Sequence, residues 1–227
     1  MDVVVRDLAG LDERTAASAL YRQVFGYDRP EYGINPRLLA ALRENAGSAL
    51  GAFAAADGDA AGELVGFCYG FSAVEAGELY HYSQAAVVAP HAQGVGVGRL
   101  LKQGQAATAR ATGARTMRWT FDPYALRNAH FNFAVLGATA IRFLPDYYED
   151  GSSDRVLVSW DLHEPHVPGD EWAAVVAPAR GHRAAPDPPD RAVLRRDLAG
   201  RFAEGGLLVR AEQRGGTAVY RFERTGP

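Results

Sequence analysis

The chain opens on Val3-Val4-Val5-Arg6, a β-branched run that predicts a short strand. Asp12 follows as a helix cap, with Ala16, Leu20 and Val24 at helical spacing behind it. Asn35-Pro36 reads as an N-cap with proline in the first helical position, and Leu38, Leu39 and Leu42 share one face until Gly47 stops the pattern. Residues 49–56 and 64–74 are apolar stretches separated by Asp57-Gly58-Asp59 and further small residues, which predicts a hairpin. Residues 79–88 supply another strand, ended by Pro90. Residues 95–111 are helical in composition, with Leu100, Leu101, Ala107 and Ala111 available to pack inward. A strand over 116–121 leads to Asp122-Pro123, read as a helix start; Phe131, Val135 and Leu136 form the apolar face, and Gly137 is a C-terminal cap. Strands over 138–143 and 156–160 complete this series.

Meandering strands followed by alternating strands and helices predict an α/β (α+β) fold, a mixed sheet with helices on its faces. From His163 to Asp190 the pattern dissolves, because six of the 12 prolines fall there, at 165, 168, 178, 186, 188 and 189. Beyond it, 191–204 reads as a helix, and 207–211 and 217–222 flank Arg214-Gly215-Gly216 as a hairpin. The expected organisation is a main domain over 1–162, a proline-rich linker or arm over 163–190, and a helix plus β-hairpin appendage over 191–227. So small an appendage is expected to pack on the main body or on a second copy of the chain, a homodimer being one outcome.

Composition narrows the function. With 24 Lys and Arg against 27 Asp and Glu in 227 residues, the net charge of -3 gives no footprint for a nucleic-acid or anionic-membrane partner. The single cysteine, Cys68, excludes an intramolecular disulfide and any multi-cysteine metal site. Neither a signal peptide nor an 18-residue apolar run is visible, so a cytoplasmic location is expected. His163-Glu164-Pro165-His166 begins the proline-rich segment, where helical metal-ligand geometry is not expected, and no metal is assigned.

The chemistry-bearing stretch runs from Tyr82 to Leu101. A strand passes through a proline-ended turn into Gly94-Val95-Gly96-Val97-Gly98 at the mouth of a helix. Amides at a helix N-terminus lack intrahelical partners and carry the positive end of the helix dipole, so they hold an anion without side-chain cations. Glycines remove the Cβ atoms that would keep a pyrophosphate away. A Rossmann fingerprint would need a third glycine where Arg99 stands, and the Gly-Lys-Ser or Gly-Lys-Thr of a Walker loop is absent. An ordinary strand-to-helix turn and a nucleotide site remain as competing readings.

Two motifs carry a resemblance. Val88-Ala89-Pro90 followed by Gln93-Gly94-Val95-Gly96-Val97-Gly98 resembles motif A of the GCN5-related N-acetyltransferase superfamily, and residues 128–138, ending Leu136-Gly137-Ala138, resemble its second signature. The resemblance covers roughly residues 1–162 and implies that family's fold, a mostly antiparallel central sheet flanked by helices. It also implies acetyl-CoA or another acyl-CoA as donor substrate and a small-molecule amine or amino-acid-like acceptor. By the same resemblance, the amides of Gly94, Val95, Gly96, Val97, Gly98 and Arg99, with Gln93, hold the pyrophosphate. Backbone groups of Ala86, Val87 and Val88 pair with pantetheine, and the Val88 N–H polarises the oxyanion.

The family pattern is not complete. On the motif A strand the positions that often carry a Glu or His base are Tyr82 and Gln84, while His81 and Ser83 alternate to the other face. Phe133 stands where many relatives place a thiolate-protonating tyrosine, so Tyr147 or Tyr148 is left to donate that proton. The helix-capping asparagine would fall at Leu126; Asn128 lies two residues later and is carried as a cofactor contact. The expected catalytic residues are therefore Tyr82 and Tyr148. A non-catalytic acyl-CoA-binding or regulatory module is the alternative to an N-acetyltransferase.

Overall fold

The computed structural model describes residues 2–56, 59–167 and 169–224. The chain divides into two compact units, Met1–Met117 and Arg118–Pro227.

In the first unit, β1 (Val3–Asp7) pairs antiparallel with β2 (Ser48–Ala56), β2 with β3 (Asp59–Glu75), and β3 with β4 (Glu78–Val88). The expected hairpin joins β2 to β3, and Asp57 and Gly58 of its turn lie outside the described residues. Between β1 and β2 run α1 (Gly10–Phe25) and α2 (Pro36–Glu44). α1 begins two residues before Asp12. Its start is fixed by Glu13, whose carboxylate accepts the Ala9 amide at 2.6 Å and both terminal nitrogens of Arg6 at 2.8 and 2.9 Å. That pairing holds the Glu13 carboxyl below the usual range. α2 starts as expected, with Asn35 Oδ1 accepting the Arg37 amide at 2.9 Å. The core gathers Leu8, Leu39, Val65, Phe67, Val87, Val97 and Leu101.

α3 (Val97–Ala111) packs against β2, β3 and β4, but not with the residues that hydropathy selects. Leu100, Ala107 and Ala111 are exposed. The buried stripe is Val97, Leu101, Lys102, Gln105, Ala106 and Ala109, so two polar side chains occupy inward positions.

In the second unit the strand order is β5 (Thr116–Phe121), β7 (Arg155–Asp161), β6 (Thr139–Leu144), β10 (Gly206–Arg214), β11 (Thr217–Arg224), β8 (Glu171–Arg180) and β9 (Arg183–Ala184). The segment 163–190, read from sequence as irregular, holds β8, which pairs with β11 over seven positions. The expected appendage is α5 (Pro188–Ala203) plus the β10–β11 hairpin, and β10 adds to the sheet beside β6 through Leu208 and Ala140. Leu194 and Leu198 of α5 are buried, and Phe202 packs on Phe143 and Phe222.

No helix begins at Asp122. Its Oδ1 instead accepts the Tyr124 amide at 2.8 Å, closing a turn. α4 (Leu126–His130) starts four residues later and runs into a π-helical turn, Phe131–Val135, in which the Leu136 amide reaches Phe131 O at 3.1 Å. Gly137 takes φ +71°, the left-handed stop that was expected there. Among the described residues no helix is long and apolar enough to cross a membrane.

Candidate functional site

The glycine turn opens directly from β4. Gly94 and Gly96 have φ of +81° and +96°, and a Cβ built on either would meet nothing within 4 Å, so both face open space. The Arg99 and Leu100 amides donate to Gly96 O at 3.0 and 3.1 Å and so start α3. The amides of Gly94, Val95, Gly96, Val97 and Gly98 have no backbone acceptor among the described residues. Gly96, the N-cap, offers no side chain to satisfy them. These five N–H groups, at the positive end of the helix dipole, make a cradle of donors that could hold an anion.

The β4 backbone leading into this turn presents two different edges. Ala89 N donates to Val65 O at 2.8 Å, and Val88 and Val87 lie opposite Gly66 and Phe67. Peptide groups alternate along an antiparallel ladder, so Val87 turns its N–H and C=O toward β3, whereas Ala86 and Val88 turn theirs to the other edge. There Val88 O accepts from Gln93 Nε2 at 3.1 Å. The side chain of Val87 is buried. The register also slips between Tyr69 and Gly70, which leaves Gln84 as the extra residue of a β-bulge. Half-buried Tyr82 and exposed Gln84 share a face, and the Tyr82 ring lies 5.4 Å from that of Phe71.

The opposite face of β4 carries a polar cluster that hydropathy does not reveal. His81 Nε2 is 2.9 Å from Ser48 Oγ, which also accepts from Gln105 Nε2 at 2.9 Å. Lys102 Nζ donates to Ser83 Oγ at 2.8 Å, and Cys68 lies in the same interior. His81 Nδ1 and Gln105 Oε1 are buried without a hydrogen-bond partner. Burial lowers Lys102 to about 7 and His81 to about 4, the latter helped by the neighbouring ammonium, and raises Cys68 to about 12. Gly70 makes room for the cluster: a Cβ there would lie 2.3 Å from Tyr82 O and 2.7 Å from His81 Nε2. In sequence the signal is the i, i+4, i+5, i+8 spacing of Val97, Leu101, Lys102 and Gln105, which becomes legible only if polar residues are allowed into the stripe.

In the second unit Asn128 is exposed on α4, its carbonyl accepting the Phe131 amide. The buried asparagine of this helical stretch is instead Asn132, which accepts from Trp119 Nε1 at 3.0 Å. Phe133 is buried with its ring 5.8 Å from that of Phe121. Tyr148 is exposed in the β6–β7 turn, its ring edge-on to Tyr147 at 4.9 Å and with Arg155 5.1 Å over it. A buried hydroxyl here is that of Tyr124, which donates to Asp154 Oδ2 at 2.6 Å. Asp154 also accepts the Asp146 amide at 2.9 Å and lies 3.2 Å from Arg195 Nε. Burial and that carboxylate push the Tyr124 phenol up, so it stays protonated. Among the described residues no group of three His, Cys, Asp or Glu side chains is placed to hold a metal.

No protein-family model and no curated protein sequence matches the chain. Solved structures match its fold. A protein of Desulfovibrio desulfuricans, assigned to the GNAT family as an acetyltransferase, superposes with a TM-score of 0.56 at 20% identity over 71% of this chain and 99% of its own. Ard1 from Thermoplasma volcanium gives a TM-score of 0.54 at 16% identity, over 71% of this chain and 99% of that one. Salmonella typhimurium yncA, assigned as an acetyltransferase and solved with its cofactor acetyl-CoA, gives 0.53 at 18% identity, over 74% and 99%. The chain has the fold of the GCN5-related N-acetyltransferases.

Proposed function

We propose that this chain is an acyl-CoA-dependent N-acyltransferase that moves an acetyl group from coenzyme A to the amine of a small, amino-acid-like acceptor. The observation that carries the reading is the cradle of unpaired amides from Gly94 to Gly98, opening from a strand of the acetyltransferase fold. A pyrophosphate suits it: the amides lack backbone acceptors, the dipole has the right sign, and the two left-handed glycines carry no side chain. The outward peptide groups of Ala86 and Val88 are suited to pairing with the amide groups of pantetheine as an added strand would.

In this mechanism the neutral amine attacks the thioester carbonyl directly, and the Val88 N–H steadies the oxyanion. The amine proton leaves to Tyr82 or to a water bound to it, and Tyr148 returns a proton to the departing thiolate. With Tyr82 and Gln84, and no carboxylate, at the two base positions of β4, acceptors of low pKa are favoured. An α-amino group of pKa about 7.7–8.0 is neutral roughly a tenth or more of the time at pH 7, a lysine amine of pKa about 10.4 far less than 1%.

Isothermal titration with acetyl-CoA tests the donor site. Saturable binding that falls at least about tenfold in Gly96→Val, measured at a temperature where the variant is folded, is the expected outcome, with a lowered Tm because a β-branched residue is strained at φ +96°; equal affinity in the folded variant overturns the cradle. Tyr82→Phe and Tyr148→Phe are each expected to lower kcat/KM, and unchanged values remove those roles. The buried, hydroxyl-free Phe133 favours a second reading, a non-catalytic acyl-CoA-binding or regulatory module. Turnover of any amine above the uncatalysed rate excludes it.

A further inference from the structure

The second unit holds a cavity of about 370 Å³ outside the donor machinery. One wall comes from α4 and the turn after it, through His130, Phe133, Ala134 and Ala138; the floor is β10 from Val209 to Glu212 with Glu223 of β11, and His166 closes one side. Its volume is at the small end of ligand pockets, fitting an amino-acid-sized molecule rather than a nucleotide.

The floor is built by a bulge. Leu208 lies opposite Phe222 and Arg210 opposite Arg221, so Val209 is the extra residue, and Val209 and Arg210 both line the cavity. Arg210 and Glu223 are diagonal neighbours across this strand pair, a separation of about 7–8 Å between backbones.

Their charges are not cancelled by each other. Arg221, opposite Arg210, is neutralised by Glu171 and by Glu212, and Glu212 is held at 2.7 Å by Arg214. Among the described residues no carboxylate lies within ion-pair distance of Arg210, whose recorded charged neighbour is that already engaged Glu212. Glu223 is only 6% exposed. Its Oε2 lies 3.0 Å from His166 Nε2, and its Oε1 takes no hydrogen bond from the described residues. One cavity therefore presents a guanidinium fork suited to a carboxylate, an enclosed carboxylate with acceptor capacity to spare, and an apolar wall of Phe133, Ala134, Ala138 and Val209.

We propose that this cavity binds a small amino-acid-like zwitterion with an apolar side chain, its carboxylate on Arg210, its ammonium on Glu223 and its side chain against Phe133. The site stands independently of the acyl-transfer reading, because no donor-site residue takes part in it.

Titration of the full chain, without acetyl-CoA, with L-phenylalanine, phenethylamine and 3-phenylpropanoate tests the pairing. L-phenylalanine is expected to saturate the protein and to bind at least about tenfold more tightly than either truncated analogue. Arg210→Gln is expected to weaken L-phenylalanine and 3-phenylpropanoate while leaving phenethylamine unchanged. Glu223→Gln is expected to weaken L-phenylalanine and phenethylamine and spare 3-phenylpropanoate. Should the buried Glu223 variant misfold, the exposed Arg210 variant still decides the matter. Absence of saturable L-phenylalanine binding, indifference to Arg210→Gln, or equal loss of all three probes overturns the proposal, whatever acetyl-CoA does.

Discussion

Lys102 is an ammonium-bearing side chain enclosed among β2, β3, β4 and α3, and its neighbours turn acidity into a stability variable. Its folded pKa of about 7 lies below the ordinary 10.5, so between those values the unfolded chain binds more protons and stability rises with pH. His81, lowered from 6.5 to about 4, adds a fall in stability as pH drops through that interval. Cys68 acts oppositely: raised from 9.0 to about 12, it remains a thiol in the fold, and stability declines as pH climbs from 9 toward 12. The Tm is therefore expected to rise from pH 7 to 9. In Lys102→Met, which keeps an unbranched chain of similar length, that rise should vanish, and melting curves across this range check it. A rise of equal size in the variant would place its origin elsewhere.

At the scale of elements, the close approach of β3 to β4 depends on Gly70. Gly70→Ala drives a Cβ into Tyr82 O and His81 Nε2, and the shift of β4 that follows is expected to cost about 1–3 kcal/mol in urea unfolding. A neutral result would mean that the strands separate without penalty. The β2–β3 hairpin and the β4 strand were legible in the sequence because their stretches are largely apolar and aromatic, and so were the glycine turn and Asn35, whose signals are local. Asp122-Pro123 misled because an Asp side chain can close a turn as readily as it caps a helix, and here its oxygen reached Tyr124. β8 was hidden by its neighbours: Trp172 to Ala177 form a continuous apolar run without alternation, and flanking prolines marked the segment as irregular. Pro178 is accommodated near the end of β8, opposite Thr217 and where β9 begins. The cavity on β10 was beyond sequence reading, since it needs a bulge, a distant histidine and a helix end to meet.

At the scale of the molecule, the C-terminal strands are a continuation of the second unit's sheet rather than an ornament. Leu126 N donates to His182 O, Ala184 N to Tyr124 O, each at 2.9 Å, and Tyr220 Oη to Pro123 O at 2.8 Å, so the loop before α4 is pinned by residues from beyond 180. Ending the chain after Leu162 removes all three bonds and uncovers the edge of β6 that β10 pairs with. The truncated protein is expected to aggregate or to melt at a clearly lower temperature, as light scattering and calorimetry would record. A soluble product with unchanged Tm would show that the second unit does not depend on these strands.

The bond between Tyr220 and Pro123 spans 97 residues, and during synthesis that span is a delay. At translation rates of about 5–20 residues per second, the Pro123 loop is synthesised on the order of 5–20 s before its tyrosine anchor. Through that interval the nascent chain carries a buried loop in waiting, with β6 still lacking β10 along one edge. Chaperone demand for this protein should therefore concentrate at the end of translation, and stalled chains released shortly before Tyr220 should be cut by protease around residues 122–126 while the finished chain resists.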